Sequence, residues 1–279
     1  MRPSSLLAPI ALAALAALEG CAVRIGGSGG DVWVEETEQF DLPAGDLQEL
    51  AIRARNGAIT VRAGEPGARS VRVTVMKSAG GDDEADAREA LVCLDVVRRA
   101  QGSTLELAEE WTREPDRGWG ARVSFEVVVP AGFGARLESR NGSITVEGLS
   151  GALEVLSHNG RLQLDASSPR VRASTHNGAV EFRGSAGQIE LETRNGWVKA
   201  ELTGGAVSGR IGTRNGGVVV TAAPSVRGTV EGETRNGSVA IHAANAGCTI
   251  REKWFRVEFG DPSAGRLEVS TRNGSIELR

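Results

Sequence analysis

Tyrosine is absent from the 279 residues, and only six phenylalanines and three histidines are present. A core so poor in large rings has to be filled by Val, Ile, Leu and Ala, which suits a narrow stack of strands better than a wide globule. Three cysteines are too few for a disulfide scaffold of the small secreted type. Proline is sparse, 9 residues against 37 glycines, so tight turns with strands between them are expected. Asp165 is the only aspartate between Phe133 and Asn245. That excludes the calcium-binding repeat pattern, which needs Asp in its turns. There is no zinc motif and no nucleophile elbow, and the glutamates are spread rather than clustered as a glycan lyase or hydrolase would need. The chain therefore reads as a non-enzyme without metal or cofactor. A net charge of −4 offers no field for nucleic acid.

The longest apolar run is also too short to cross a bilayer. Arg2 gives a positive start and residues 6–18 are rich in Leu and Ala, the length of a signal-peptide core. Leu18-Glu19-Gly20-Cys21 follows, with an apolar residue three before the cysteine and a small one directly before it. This resembles a bacterial lipobox, so Cys21 is the expected lipidation site and the membrane the expected partner of the mature N-terminus. Ala22 matches the outer-membrane sorting choice. Ordinary signal cleavage that leaves Cys21 as a thiol is the other reading. Cys93 and Cys248, in an exported chain, either pair or stay as small buried hydrophobes.

What is abundant is one motif. Asn-Gly followed by an alternating apolar strand occurs eight times, at Asn56-Gly57, Asn141-Gly142, Asn159-Gly160, Asn177-Gly178, Asn195-Gly196, Asn215-Gly216, Asn236-Gly237 and Asn273-Gly274. From Asn141 the steps are 18, 18, 18, 20, 21 and then 37 residues. Repetition at a near-fixed period marks an array in which each unit buries its apolar face only against its neighbours.

The register is read from each Asn. Three residues on stand Ile144, Leu162, Val180, Val198, Val218, Val239 and Ile276; five residues on stand Val146, Leu164, Phe182, Ala200, Val220, Ile241 and Leu278. Apolar residues also alternate upstream, and the second residue before Asn is Ser or Thr from Ser139 to Thr271. Period-2 alternation on both sides of Asn-Gly means two strands meeting at a tight corner. A meander of hairpins satisfies this. So does a β-solenoid of short 18–21-residue coils, and it alone gives every corner a reason to carry Asn: stacked side-chain amides can form a hydrogen-bonded ladder at the ~4.8 Å strand spacing. The expected fold is all-β, a β-solenoid with a small α+β cap.

Four segments follow. Residues 1–20 are the signal peptide, and 21–36, opening on a Gly/Ser run, a flexible tether. Residues 37–130 hold a first, isolated coil and the α+β cap, with a helix expected over 82–91 and a hairpin around Gln101-Gly102. Residues 131–279 are the array, with an insertion at about 242–265.

An exported chain with repeated S/T-[R/H]-Asn-Gly-x-φ-x-φ units resembles the DUF4097 family of adhesin-like bacterial envelope proteins over roughly residues 37–279. The resemblance implies a β-helical fold and an envelope location, and it supplies no catalytic residues.

The residue before each Asn is Arg140, His158, His176, Arg194, Arg214, Arg235 and Arg272. In a solenoid these form a cationic file along one corner. Two readings stay open: the file is neutralised by Glu138, Glu154, Glu190, Glu192, Glu231, Glu233 and Glu268 through cross-strand pairs, or it binds an extended polyanion such as an acidic glycan. Trp111 and Trp119 in the cap and Trp254, Phe255 and Phe259 in the insertion either shield open ends of the stack or offer a protein-binding surface. Function then divides among an adhesin-like scaffold for glycan or protein, a periplasmic regulatory partner acting through the cap, and, third, a polysaccharide-active enzyme.

Overall fold

A residue can stand at the same corner of every coil only if nothing there keeps the coils apart, and this is what Gly provides. In the computed structural model, which describes residues 20–25 (backbone only), 32–113, 119–242 and 247–279, the Asn-Gly corners lie one over another in parallel register. A Cβ at Gly142, Gly160, Gly178, Gly196, Gly216, Gly237 or Gly274 would come closer than 3.0 Å to the glycine carbonyl oxygen of the adjoining coil. Each of these corners therefore excludes every side chain. The expectation of a solenoid holds, and the corners are not hairpin tips.

Three sets of bonds fix the stack. Each Asn amide Nδ2 except that of Asn56, which donates to the Ala121 carbonyl in the cap, donates to the Oδ1 of the adjoining Asn at 2.7–2.8 Å, in one direction through all eight coils. The corner Gly N–H donates the other way, to the backbone carbonyl of the Asn in the next coil, as Gly178 does to Asn195 at 3.1 Å. The Ser or Thr two residues before Asn points inward and donates its hydroxyl to a corner glycine carbonyl, as in Thr193 to Gly178 at 2.9 Å and Thr271 to Gly216 at 2.9 Å. The first coil has no corner before it to receive such a bond, and it carries Ala54 there.

Each coil is two strands around a bend, so the stack is two facing sheets with one core between them. Ile144, Leu162, Val180, Val198, Val218 and Ile276 form one buried row, and Leu137, Val155, Ala173, Leu191, Ile211 and Val269 face them. Phe40, Phe125, Phe133, Phe182 and Phe255 are the phenylalanine rings buried in this aliphatic core.

Four expectations need correction. The Asn56 coil is not isolated: Glu49–Asn56 pairs in register with Gly134–Asn141, and Ile59–Ala63 with Ile144–Leu149. The chain leaves after that coil, builds the cap, and returns to continue the same ladder. The Asn273 coil, last in sequence, is not last in space. Arg266–Asn273 lies between Ser208–Asn215 and Val226–Asn236, so the ladder runs Asn215, Asn273, Asn236. The reason is Gly232. It occupies the position where other coils carry Ile, Leu, Val or Ala, and the Phe255 ring fills the space, leaving no room for a Cβ. Phe255 belongs to Trp254–Phe259, which pairs antiparallel with Val226–Asn236 and closes that end. Only a terminal coil can accept such a lid.

The third correction concerns residues 21–36. Val32–Pro43 is a strand antiparallel to Ser70–Gly81, and Gly20–Ile25 pairs with it. Alternation in Val32-Trp33-Val34 drives this, with Val34 fully buried and the Trp33 ring seated on Gly80 and Gly120. Residues 1–19 and 26–31, which carry the signal peptide and the Gly/Ser run, lie outside the described residues. Fourth, the cap helix is Glu84–Cys93 rather than 82–91, because Asp83 acts as its N-cap and accepts from the Asp86 N–H. The helix buries Ala87, Ala90 and Leu91 against Val34 and Ala79. Thr104–Trp111 and Gly120–Val129 extend the two sheets beyond the first coil.

Two outcomes follow. Gly178→Ala should cost about 3 kcal/mol or more, since its backbone and its neighbour both refuse a Cβ, while Thr193→Val should cost about 1–2 kcal/mol for one buried carbonyl left unpaired. Urea unfolding of the two variants measures both, and a Gly178→Ala midpoint equal to the parent would contradict the corner geometry. A chain ended at Asp261 removes the inserted coil. Hydrogen exchange should then show residues 226–241 losing protection while 134–202 keep theirs, as expected where stability is passed between nearest neighbours.

Candidate binding surface

Strand alternation turns the residue before each Asn outward, and the stack places those residues in a row. In spatial order the row is Arg55, Arg140, His158, His176, Arg194, Arg214, Arg272 and Arg235. Seven steps at the ~4.8 Å strand spacing make it about 34 Å long. Arg55 is not among the expected members. Its Arg-Asn-Gly sequence is the same signal, hidden by taking the first coil as separate.

Most of the seven glutamates expected to neutralise the row pair elsewhere, several of them in the next outward column but one. There Arg136, Glu154, Arg172, Glu190, Arg210 and Glu268 alternate in sign from coil to coil. Arg136–Glu154 is 3.3 Å, Arg172–Glu190 3.5 Å and Arg210–Glu268 3.7 Å. Glu138 turns to Arg53, and Glu231 to Arg256 and Arg266. Five of the seven acids thus compensate a different set of cations, while Glu192 and Glu233 line a shallow concavity with Arg214, Arg235 and Arg272 without forming an ion pair to them. Among the described residues, no arginine of the row forms an ion pair with a carboxylate. Adjacent like charges at such spacing repel by about 1 kcal/mol even in bulk water.

The middle of the row is its titratable part. His158 and His176 stack with ring centroids 4.8 Å apart and planes 19° from parallel. Arg194 Nη1 lies 3.5 Å from His176 Nε2. Desolvation, then Arg194, then His158 lower the pKa of His176 below its ordinary value. The two rings divide the row into Arg55–Arg140 and a four-arginine section, and the lowered pKa of His176 favours its neutral form at that break. Shallow concavities of about 530 Å³ and 520 Å³ lie over the two sections, the first bounded by His176, Arg194, Arg214 and Arg272, the second by Arg55, Glu109, Arg140 and His158.

The other expected candidates disperse. Trp111 and Trp119 stack at 6.0 Å in the cap, with the Trp119 indole donating to Asp86, while Phe255 is buried at the opposite end. The aromatics thus pack two ends rather than form one cluster. Cys93 is buried beside the cap helix and Cys248 exposed on the far hairpin, both as free thiols. Among the described residues no three His, Cys, Asp or Glu are grouped to hold a metal, and no helix is long and apolar enough to cross a membrane. The carboxyls whose titration is displaced, Glu201, Asp261 and Glu277, are all displaced downward, held as anions by hydrogen bonds from Lys199, Ser263 and Arg279. A general acid needs the opposite shift.

No family model and no curated protein matches the chain. Among solved structures, a putative cell adhesion protein from Clostridium sporogenes is similar at 12% identity, over 88% of this chain and 98% of that one, with a TM-score of 0.38. Putative adhesins from Bacteroides fragilis and Parabacteroides merdae are similar at 13% and 10% identity, over 87% and 91% of this chain and 97% and 98% of theirs, with TM-scores of 0.42 and 0.44. At these scores the likeness carries no weight for function.

The lowered His176 pKa fixes a sign. The folded chain binds fewer protons there than the unfolded one, so this contribution is complete above about pH 6.5 and is lost as pH falls through the lowered value. The effect is small on so exposed a ring. His176→Gln should flatten the fall in melting temperature between pH 7 and 5, while the carboxylate-dependent loss below about pH 4.5 remains.

Proposed function

We propose that the chain is an exported, non-enzymatic envelope protein of adhesin type, anchored through a lipidated Cys21, whose Arg/His row binds an extended polyanion, an acidic surface glycan being the ligand class. The carrying observation is the contrast between two columns on one sheet. One alternates in sign and pairs with itself; the other carries arginine at six of eight coils and histidine at the remaining two, with no carboxylate ion-paired to its arginines among the described residues. A surface selected only for solubility gains nothing from holding six arginines in one line, whereas a line of evenly spaced charge suits a linear polymer carrying charge at regular intervals.

The anchor fits this reading. Gly20–Ile25 is the outermost strand at the cap end of its sheet, eleven strand steps from Val239–Ile241, about 53 Å at ~4.8 Å each. A lipid on Cys21 would hold one end of the rod and leave the cationic row running away from the membrane. The periplasmic-partner reading acts through the cap, where Trp111 and Trp119 stack on each other and stay half-buried.

The decisive measurement is binding of the mature chain to polygalacturonate by calorimetry at about 50 mM and 300 mM salt. Affinity should fall with salt. Arg194→Gln, Arg214→Gln and Arg272→Gln together should weaken it roughly 10- to 100-fold, at about 0.5–1 kcal/mol for each exposed contact. Arg172→Gln with Arg210→Gln, in the self-paired column, should not. Equal loss in both sets would reduce the row to general surface charge. Because a polyanion favours the protonated imidazole, binding should strengthen as pH falls below about 6.5 through the lowered His176 value, and His176→Gln should reduce that dependence.

A further inference from the structure

The outer face of the second sheet carries a feature of different chemistry. Trp197 directly follows the Asn195-Gly196 corner, and its ring is 41% exposed. It is the only Trp or Phe side chain so exposed among the described residues. The adjoining coils place Ala179 and Gly217 beside it, so nothing large covers its flanks. From one direction the Arg161 guanidinium approaches to 5.7 Å and is itself tied to Glu181.

Beginning two residues on, at Lys199, an open groove of about 610 Å³ runs over four successive coils, floored by Thr145, Gln163, Glu181 and Lys199; the indole stands at its edge, joined to it through Arg161 and Glu181. The groove's charges balance. Glu181 pairs with Arg161, Glu201 with Lys199 and Glu147 with Arg62, the last at 2.8 Å, and Asp165 stands opposite Arg183 in the ladder. The groove therefore offers planar carboxylate, guanidinium and amide groups, held in place and without a net field. A charged polymer gains little from such a surface. A ring with an apolar C–H face and a rim of hydroxyls gains from both parts: the face lies on the indole, and the hydroxyls exchange hydrogen bonds with the fixed polar groups. That is a pyranose.

We infer that Trp197 and the adjoining groove form a binding site for an uncharged sugar chain, separate from the cationic row and on the other side of the Asn-Gly corner. The indole is the anchor; Gln163, Glu181 and Lys199 fix the direction of the chain. This inference does not depend on the polyanion reading.

The test uses the full mature chain with neutral hexasaccharides of glucose, mannose, galactose, xylose and N-acetylglucosamine, read by calorimetry and by protection of tryptophans from N-bromosuccinimide. At least one sugar should bind and selectively protect Trp197. Trp197→Ala should lower its affinity about tenfold or more, Trp197→Phe should retain most of it, and Gln163→Ala should weaken it in a folded background. The Arg194/Arg214/Arg272 triple variant should bind the neutral sugar normally, while Trp197→Ala should bind polygalacturonate normally. Failure of all five sugars to bind, or unchanged binding by Trp197→Ala, would overturn the site. Protection of Trp197 by polygalacturonate alone would also overturn it, by assigning the indole to the cationic row.

Discussion

The close approach of one corner to the next is the constraint on which the molecule rests. Gly carbonyls face Gly α-carbons of the adjoining coil at a separation no Cβ tolerates. Only at that separation do the Asn amides reach one another and the inward Ser and Thr hydroxyls find their carbonyls. Removing any one partner leaves a buried or strand-locked polar group with no substitute, and such groups cost more unpaired than they gain when paired. The corner is thus a joint requirement of three side-chain types, which is why Asn, Gly and a hydroxyl residue recur together. The hydrophobic rows, by contrast, tolerate Ile, Leu, Val, Ala and Phe in the same place.

Once the corner is fixed, every outward position becomes a column, and a column can repeat a chemistry only as the sequence repeats it. Three columns solve this differently. One alternates Arg and Glu and neutralises itself coil by coil. One carries arginine, or histidine in two coils, and tolerates the repulsion, because each coil is held by ladder bonds independent of that side chain. One is small or polar almost throughout and is interrupted by a single indole at Trp197. The scaffold costs the same in all three cases, so the differences between columns report what each is used for.

Much of this is legible in the order of residues alone, and what is not has a physical cause. The period, the inward rows, the Ser/Thr position and the cationic file are all local repetitions, and local repetition is what a sequence displays. Spatial order among equivalent coils is not local. The Asn215, Asn236 and Asn273 coils carry interchangeable ladder and core residues, so either order completes the ladder and fills the core. One residue breaks the tie: Gly232 has no side chain for the core row, and a neighbouring coil with a Leu or Val there would leave a void unless a lid supplied a ring. The same reasoning joins the Asn56 coil to the array, since Ala54 stands where a hydroxyl would have no corner carbonyl to meet. Helix ends and the strand at Val32–Pro43 depend on caps and on the seat for Trp33, which are contacts across the sequence rather than patterns within it.

The cationic row also couples ligand to fold. Repulsion between its arginines acts in the native state alone, since the unfolded chain lets them separate. A polyanion bound as proposed would remove that penalty and be recognised only by the ordered row, so that binding and stacking would reinforce each other by mass action. His176 would set where this coupling acts. Its neutral ring separates two cationic sections, and a short ligand would need only one of them. Its protonated ring would bring the sections together, so that the row would then favour a polymer long enough to follow the full stack. In the proposed reading, ligand length and acidity would be linked through the same eight corners that hold the coils together.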